Sequence, residues 1–245
     1  MKTVLITGAN KSIGFEAARQ LLQQGYFVYL GSRHLQKGWE AAGKLKAEGL
    51  NNVEAIQIDV SNAKSIASAR KELGKKLQSL DVLINNAGIR GAVPQTASTV
   101  NIDVIREVFD TNFFGVIEVT QTFLDLLKNS DAPRIVNVTS GLASLTLHSD
   151  PKWKYYSVKG AAYGPSKSAL NAYTVVLAYE FRNTKFKVNA VDPGYTATDF
   201  NDHRGTGSVE DAAKRIVRYV TIGEDGPTGV FFSDDNNPET GVSPW

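Results

Sequence analysis

Short apolar runs rich in β-branched residues recur along the chain, and segments with helical spacing separate them. Several runs are apolar without clean alternation, which is typical of strands that are buried on both faces. The seven predicted strands are residues 3–7, 26–32, 53–59, 80–86, 134–140, 186–193 and 229–234. The predicted helices are residues 12–24, 35–48, 63–77, 102–128, 165–182 and 209–220. Strand alternating with helix predicts an α/β fold with a parallel sheet between two layers of helices.

Length and composition bound the number of domains. The chain has 245 residues, of which 42% are hydrophobic and 21% charged, so it has enough apolar residues for a large core. Two small domains would also fit this length, but no linker-like segment or internal repeat divides the chain. We therefore expect one domain over residues 1–245.

Charge and cysteine content exclude several classes of partner. Lysine and arginine total 27 against 25 aspartate and glutamate residues, which gives a formal charge of +2. This is far from the basic excess of proteins that bind nucleic acid or anionic membranes, so we expect neither partner. Cysteine is absent, which fits a reducing compartment. No signal-peptide core or 18-residue apolar span is visible, so we expect a soluble cytoplasmic protein.

The stretch "TGANKSIG" follows the first predicted strand and opens the first predicted helix. Gly8 permits a tight turn and Gly14 lets the helix approach the sheet, while free N–H groups at the helix start attract a pyrophosphate. The alternative to a phosphate-binding loop is that these glycines serve an ordinary strand-to-helix turn. Ser12 stands where a further glycine is expected, and its Cβ limits how closely a phosphate approaches. The candidate cofactor contacts in this loop are Gly8, Asn10, Lys11, Ser12, Ile13 and Gly14.

The second predicted strand ends in "LGSRHLQKG". An acidic residue there would bind the ribose hydroxyls of NAD, but this sequence has Arg33, and the glycine loop adds Lys11. Two cations suit a ribose 2′-phosphate, so we expect NADP(H), with NAD(H) as the alternative. The alternative is that Lys11 and Arg33 are ordinary solvated surface charges. Asp59 and Val60 after the third strand are candidates to flank the adenine, although an aspartate there is also an ordinary helix-capping feature.

The stretch "GAAYGPSKSALNAY" places Tyr163 and Lys167 four residues apart at a predicted helix start marked by Pro165. Proline is tolerated in a first turn, where the backbone N–H has no partner to lose. Tyr163 and Lys167 then share one helix face. A phenol has a pKa of about 10, and we expect the adjacent ammonium to lower it toward the range where general acid catalysis works.

Five features in order carry a family resemblance: "TGANKSIG", "NNAG" at residues 85–88, a serine after the fifth strand, Tyr-x-x-x-Lys in "YGPSK", and "NAVDPGYTATD". Together they resemble the short-chain dehydrogenase/reductase family over nearly the whole chain. The segment "SRHLQKG" and the long loop before Tyr163 look most like its carbonyl-reductase branch. The resemblance implies a single-domain Rossmann fold whose doubly wound, seven-stranded parallel sheet carries helices on both faces.

The resemblance also implies roles for individual residues. Ser140 would donate a hydrogen bond to the substrate oxygen, Tyr163 would transfer the proton, Lys167 would bind the nicotinamide ribose, and Asn112 in "DTNFFG" would hold a proton-relaying water. These side chains could instead be a cap at Ser140, a packed aromatic at Tyr163 and a buried amide at Asn112. The implied cofactor contacts, besides Tyr163 and Lys167, are Asn86, Ala87, Gly88, Pro193, Gly194, Thr196 and Thr198.

These features predict an NADPH-dependent carbonyl reductase that also oxidises alcohols. The alternatives are an NAD-linked alcohol or hydroxysteroid dehydrogenase and a non-catalytic dinucleotide sensor on the same fold. An apolar or aromatic carbonyl compound is the expected small-molecule substrate, in a pocket lined by Leu142, Leu145, Tyr195 and Phe200. The histidines His34, His148 and His203 are too dispersed for a metal site, so none is expected.

The loop over residues 148–160 is longer than is usual in the family. It carries Trp153, Tyr155 and Tyr156, which would form a flap beside the substrate or fill a subunit interface. By analogy we expect a homo-oligomer, a dimer or tetramer, paired through the helices at 102–128 and 165–182. An exposed Trp245 would also favour burial against a neighbour. Relatives with a long loop before the tyrosine can be monomers.

Overall fold

All seven predicted strands form, and they make one parallel sheet. The computed structural model describes all 245 residues. The strands are β1 (Thr3–Ile6), β2 (Phe27–Ser32), β3 (Val53–Gln57), β4 (Val82–Asn85), β5 (Arg134–Val138), β6 (Lys187–Val191) and β7 (Phe231–Phe232). They lie in the order β3-β2-β1-β4-β5-β6-β7 with every pairing parallel. Each strand is shorter than the predicted run, at one end or at both.

Helices cover both faces of this sheet. They are α1 (Ser12–Gln23), α2 (Leu35–Ala47), α3 (Ala63–Leu73), α4 (Ile102–Phe109), α5 (Gly115–Lys128), the single turn α6 (Leu145–His148), α7 (Tyr163–Glu180) and α8 (Val209–Val220). The fold class is confirmed as a doubly wound α/β domain. None of the helices combines the length and the apolar character that crossing a membrane requires.

The prediction of one continuous α-helix over residues 102–128 is wrong in one respect. This segment divides into α4 and α5, and a π-helical turn, Asp110–Phe114, lies between them. The periodicity of the apolar residues does not reveal a π turn, because one wide turn inserts a single extra residue and the pattern resumes after it. The helix predicted to start at Pro165 begins instead at Tyr163, so the proline lies within the first turn, where it is tolerated.

The apolar residues of the strands point to both faces, which explains their lack of alternation. Val4 and Ile6 of β1 pack with residues of α1 and α8 on one face. Leu5, between them, packs on the other face with residues of α3, α5 and α7. Trp245 packs on Phe231 of the same chain, with ring centroids 5.7 Å apart, so its packing does not depend on a neighbouring subunit.

The order of the strands determines where a site can form. The chain runs outward from β1 to β3 and then returns to β4 on the other side of β1. Loops that leave β1 and β4 at their carboxyl ends therefore diverge and leave a crevice, which is the usual ligand site of such sheets. The predicted functional residues Gly8, Asn86, Ser140 and Pro193 all follow the carboxyl ends of strands, at this edge.

Candidate active site

The glycine loop after β1 packs tightly against the loop after β4. Gly8 has a φ of +64°, and a Cβ added there would lie 2.9 Å from the Cα of Ala87. A Cβ added to Gly14 would lie 2.5 Å from Nδ2 of Asn86. Ser12, which stands where a glycine was expected, also has a positive φ of 56°. Its backbone is therefore in the left-handed region that favours glycine.

Two side chains hold these two loops together. Asn86 Nδ2 donates to the carbonyl oxygens of Thr7 at 2.9 Å and Gly8 at 3.0 Å. Thr7 Oγ1 accepts from the backbone N–H of Asn86 at 3.0 Å and of Ala87 at 3.1 Å. The amide of Asn86 is thus occupied in shaping the crevice. Thr7 was missed by sequence reasoning, because a threonine at a strand end carries no local signal of a partner 79 positions away.

A bound dinucleotide phosphate fits the start of α1. The first N–H groups of a helix have no intrahelical partner, and here the glycine loop brings the backbone close to them. Lys11 Nζ lies 2.6 Å from Asp199 Oδ2, and both side chains are exposed. Arg33, just beyond β2, is exposed and its guanidinium makes no hydrogen bond or ion pair. The residues present therefore suit a phosphorylated ribose on chemical grounds.

Asp59 and Val60 have local roles in the turn after β3. Asp59 Oδ1 accepts from the backbone N–H of Ser61 at 3.1 Å and from its hydroxyl at 2.7 Å. The cap of α3 is Asn62, whose side chain accepts from Ser65 N at 3.1 Å. Val60 is buried, and its carbonyl touches Gly115 at the start of α5 so closely that a Cβ there would overlap it.

Tyr163 and Lys167 occupy the first and fifth positions of α7, so both face the crevice from one helical turn. Lys167 is buried, at 4% exposure, and its Nζ donates to the carbonyl oxygen of Val138 at 2.8 Å. Burial lowers the pKa of Lys167 to about 8. Burial also raises the pKa of the Tyr163 phenol above its usual range, a hydrogen bond with Ser140 opposes that rise, and the charge of Asp192 adds to it.

The acidity of Tyr163 therefore differs from the sequence-based expectation. We expected the ammonium of Lys167 to lower the pKa of the phenol, but the groups that act on Tyr163 here are its burial, Ser140 and Asp192. The Lys167 ammonium donates instead to the carbonyl oxygen of Val138, at the end of β5. The phenol is consequently in its protonated form at neutral pH.

Ser140 serves both as a cap and as a neighbour of the tyrosine. It follows β5, and its Oγ accepts from Leu142 N at 3.2 Å, which stabilises the short turn Gly141–Ala143. The hydroxyl also acts on the Tyr163 phenol, whose pKa it lowers. The serine and the tyrosine predicted to act together thus lie near each other, although 23 positions separate them in the sequence.

Asn112 lies within the π turn and is fully buried. Its Oδ1 accepts from Ile89 N and its Nδ2 donates to Ile89 O, both at 2.8 Å, and Nδ2 also donates to Ser166 Oγ at 3.1 Å. A Cβ added to Gly88 would lie 3.2 Å from Asn112 Oδ1 and 3.5 Å from Lys167 Nζ. The amide is buried, as the alternative to a catalytic role expects, but it joins the loop after β4 to α7 rather than joining two strands, and it does so beside Lys167.

A distant glutamine caps the helix that carries the tyrosine. Residue 162, which precedes α7, is an alanine without a capping side chain. Gln95 Oε1 instead accepts from Tyr163 N at 3.2 Å and Ala162 N at 3.3 Å, and its Nε2 donates to Arg90 O at 2.8 Å. Sequence reasoning did not find Gln95, because helix-cap signals are local and this cap is 68 positions away.

Aromatic side chains from two loops cover this site. The ring of Phe200 lies 5.1 Å from that of Tyr163, between centroids. Tyr195 lies 6.4 Å from Tyr155, which in turn lies 5.4 Å from Trp153. The loop over 148–160 is therefore next to the site, as the flap hypothesis requires. The predicted contacts Thr196 and Thr198 belong to the same segment as Phe200, and both are buried.

Comparisons with known proteins agree with this architecture. The family model for short chain dehydrogenases matches residues 2–208. The (+)-neomenthol dehydrogenase of Capsicum annuum is 31% identical, and the match covers 93% of this chain and 94% of that protein. Salutaridine reductase from Papaver somniferum superposes with a TM-score of 0.83 at 30% identity, covering 95% of this chain and all of the other.

A third relative is an NADPH-bound carbonyl reductase from chicken fatty liver. Its structure matches with a TM-score of 0.83 at 26% identity, and the match covers 100% of this chain and 99% of that one. The chain therefore belongs to the short-chain dehydrogenase/reductase family of oxidoreductases, which act on alcohols and ketones with nicotinamide cofactors.

Proposed function

We propose that this protein is an NADPH-dependent carbonyl reductase that also catalyses the reverse alcohol oxidation. The observation that carries the proposal is that Ser140 acts on the Tyr163 phenol while Lys167 lies one turn along the same helix. A hydrogen-bond donor, a proton donor and a buried amine are the groups that carbonyl reduction needs.

The residues that would hold the cofactor are those of the glycine loop and the two cations beside it. The start of α1 would bind the pyrophosphate, and Lys11 and Arg33 would bind the ribose 2′-phosphate. A bound reduced nicotinamide supplies a hydride to the carbonyl carbon. The absence of an acidic residue at the end of β2 favours NADPH over NADH, and the NADPH bound to the chicken carbonyl reductase agrees with that preference.

The side chains of the site complete the reaction. Ser140 donates a hydrogen bond to the substrate oxygen and stabilises the negative charge that develops there. The phenolic O–H bond of Tyr163 breaks, and its proton goes to that oxygen, which yields the alcohol. Its raised pKa keeps Tyr163 protonated before the transfer. Lys167, with a pKa of about 8, is then suited to return a proton to Tyr163 near neutral pH.

The surroundings of the site favour an apolar carbonyl compound. Phe200 packs against Tyr163, and Tyr195 packs against Tyr155 of the 148–160 loop. Aromatic rings bind apolar and aromatic groups more strongly than charged ones. A NAD-linked dehydrogenase would use the same catalytic groups, and a non-catalytic sensor would not need Tyr163 or Lys167.

The test is the Tyr163→Phe variant, assayed for NADPH consumption with a panel of aryl and alkyl ketones. We expect kcat/KM to fall by about 10²–10⁴-fold, the usual contribution of a general acid, while NADPH still binds. Tyr173→Phe is the matched control, since Tyr173 lies on the same helix and its pKa is likewise raised by burial. Full activity in Tyr163→Phe would refute the mechanism, and tight NADPH binding without turnover in the parent would favour the sensor.

A further inference from the structure

The side chain of Gln95 lies between the loop that follows β4 and the start of α7. Its Oε1 accepts from the backbone N–H groups of Ala162 at 3.3 Å and Tyr163 at 3.2 Å. Its Nε2 donates to the carbonyl oxygens of Arg90 at 2.8 Å and Ala92 at 3.2 Å. The two ends of one amide are thus bonded to the backbones of two segments that are far apart in the sequence.

These four backbone partners determine which kind of side chain suits position 95. Two N–H groups on one side need an acceptor, and two carbonyl oxygens on the other side need a donor. A primary amide supplies both, whereas an ionised carboxylate only accepts and an ammonium only donates. The backbone of Gln95 is anchored as well, since its carbonyl oxygen accepts from Ala161 N at 3.0 Å. The arrangement is therefore specific to an amide side chain.

The start of α7 has no cap of its own. The first N–H groups of a helix lack intrahelical partners, Ala162 has no capping side chain, and Pro165 has no N–H. Gln95 supplies the acceptor for the N–H of Tyr163, and Ser166 Oγ donates to the carbonyl oxygen of Tyr163 at 2.7 Å. Side chains thus hold both backbone groups of the proposed proton donor.

Gly160 shows how closely the chain before α7 approaches this amide. A Cβ added to Gly160 would lie 2.9 Å from Gln95 Oε1, and the three nearest atoms would all belong to Gln95. Because non-bonded heavy atoms pack at roughly 3.5 Å or more, a methyl group there would push the amide away from the N–H groups of α7. The φ of Gly160 is outside the left-handed region, so its backbone tolerates alanine.

We infer that Gln95 is a positioning residue of the reduction step: its amide holds the first turn of α7 against the loop after β4 and so keeps the Tyr163 phenol within reach of the substrate oxygen. The inference rests on the proposed function, in which Tyr163 donates the proton. Lys167 lies one turn further along and is held separately, by the carbonyl oxygen of Val138. Loss of Gln95 should therefore impair proton transfer and leave the binding of NADPH intact.

The first experiment compares the steady-state kinetics of Gln95→Ala and the parent with NADPH and a ketone that the parent reduces. We expect kcat to fall by about 10–100-fold, since a displacement of about 1 Å can cost this much of a rate. The Kd for NADPH should stay at the value of the parent. Gln95→Glu keeps the acceptor and loses only the donor, so it should recover part of the kcat that Gln95→Ala loses.

Asn101→Ala is the matched control, because Asn101 caps α4 from the same loop. Its Oδ1 accepts from Asp103 N at 2.9 Å, so the variant also loses a side-chain cap, but on a helix without the tyrosine. We expect it to keep the kcat of the parent. An equal loss of kcat in Asn101→Ala and Gln95→Ala would overturn the inference, because a general weakening of the loop would then explain both.

Gly160→Ala tests the same contact with Gln95 still present. We expect the added methyl group to lower kcat in the parent and to have no further effect in Gln95→Ala, where there is no amide to displace. Residues that act through one contact show such non-additive effects. If the methyl group lowered kcat equally in both proteins, the amide of Gln95 would not be what it displaces, and the inference would fail.

Amide hydrogen exchange at the start of α7 separates this inference from the proposed function, because it needs no turnover. We expect the N–H groups of residues 162 and 163 to exchange at least about fivefold faster in Gln95→Ala, as loss of a helix cap predicts. Unchanged exchange, or faster exchange with the kcat of the parent, would overturn the inference. A parent that reduces no carbonyl compound would refute the proposed function instead, and the exchange rates would still show whether Gln95 holds the turn.

Discussion

Lys167 carries an amine into the protein interior with one carbonyl oxygen, that of Val138, as its hydrogen-bond partner. Burial lowers the pKa of Lys167 from 10.5 to about 8. Below about pH 8 the lysine is charged in both the folded and the unfolded protein, and the full cost of burying the charge applies. Between the folded-state pKa of about 8 and the ordinary value of 10.5, only the unfolded state keeps the proton, so the free energy of unfolding rises with pH.

We therefore predict that Lys167→Met abolishes reduction and yet stabilises the fold. The methionine fills a similar volume without a charge, so the gain at neutral pH is about 2 kcal/mol after the lost hydrogen bond is discounted. Urea denaturation at neutral pH and at about pH 10 measures it. The difference in the free energy of unfolding between variant and parent should be smaller at the higher pH. A variant that is less stable than the parent at neutral pH would contradict the prediction.

Arg33 is an exposed guanidinium without a partner in the protein. If it binds the 2′-phosphate, Arg33→Asp removes an attraction and adds a repulsion for NADPH only. We expect the NADPH-to-NADH ratio of kcat/KM to fall by at least about tenfold, the factor that corresponds to one charged hydrogen bond. Steady-state kinetics with both cofactors measure this ratio. Arg182→Asp, an equal charge change at the far end of α7, is the control, and equal use of both cofactors by the parent would refute the assignment.

At the scale of elements, the ion pair between Lys11 and Asp199 joins the glycine loop to the segment 193–208. The same segment places Phe200 against Tyr163 and has a second ion pair, between Asp202 and Arg90, at 3.6 Å. Asp199 therefore competes with a cofactor phosphate for the ammonium of Lys11. The competition is weak, because both groups are exposed and water screens them.

Removing this competitor should strengthen NADPH binding. We predict that Asp199→Asn lowers the Kd for NADPH by about threefold, with a smaller change for NADH, as expected for an exposed ion pair. Isothermal titration calorimetry with each cofactor measures both constants. Asp202→Asn makes the same charge change in the same segment without releasing Lys11, so it should not show the preference for NADPH. Weaker NADPH binding in Asp199→Asn would mean that Asp199 holds the segment in its binding form.

Two other elements stabilise the first turn of the helix that carries Tyr163. Gln95, from the loop after β4, caps its first turn, and Asn112, from the π turn, donates to Ser166 within that turn. A π turn needs a tertiary reason to persist, since its hydrogen-bond geometry is less favourable than that of an α-helix. The contact of Asn112 with both backbone groups of Ile89 supplies one.

At the scale of the whole molecule, α7 leaves an apolar stripe outside the core. Val176 is 64% exposed and Tyr179 is 65% exposed, and Val175 lies beside them at 41%. Exposed apolar patches of this kind often mark interfaces between copies. Self-association through α5 and α7, expected by analogy, remains a prediction that this stripe favours.

We predict that Val176→Glu weakens or abolishes self-association by placing a charge in the middle of the stripe. Sedimentation velocity over a range of concentrations should show a dimer or tetramer for the parent and a smaller species for the variant. Val158→Glu, an equal change at an exposed valine of the 148–160 loop, should keep the mass of the parent. A parent that sediments as a monomer would contradict the prediction.

Much of the fold follows from patterns that are local in the sequence. Apolar runs separated by helical segments are sufficient to predict seven strands and a parallel sheet, because strands buried on both faces and their crossover helices each have a recognisable composition. The shared face of Tyr163 and Lys167 also follows from residues that are neighbours in the sequence.

Tertiary structure decided the features that depend on residues far apart in the chain. The π turn at Asn112, the cap supplied by Gln95 and the pairing of Lys11 with Asp199 each need a partner at least 23 positions away. The acidity of Tyr163 likewise depends on burial and on Asp192 rather than on the lysine four residues along. Hydrogen bonds and desolvation depend on which groups the fold brings together, and periodicity in the sequence carries no information about those groups.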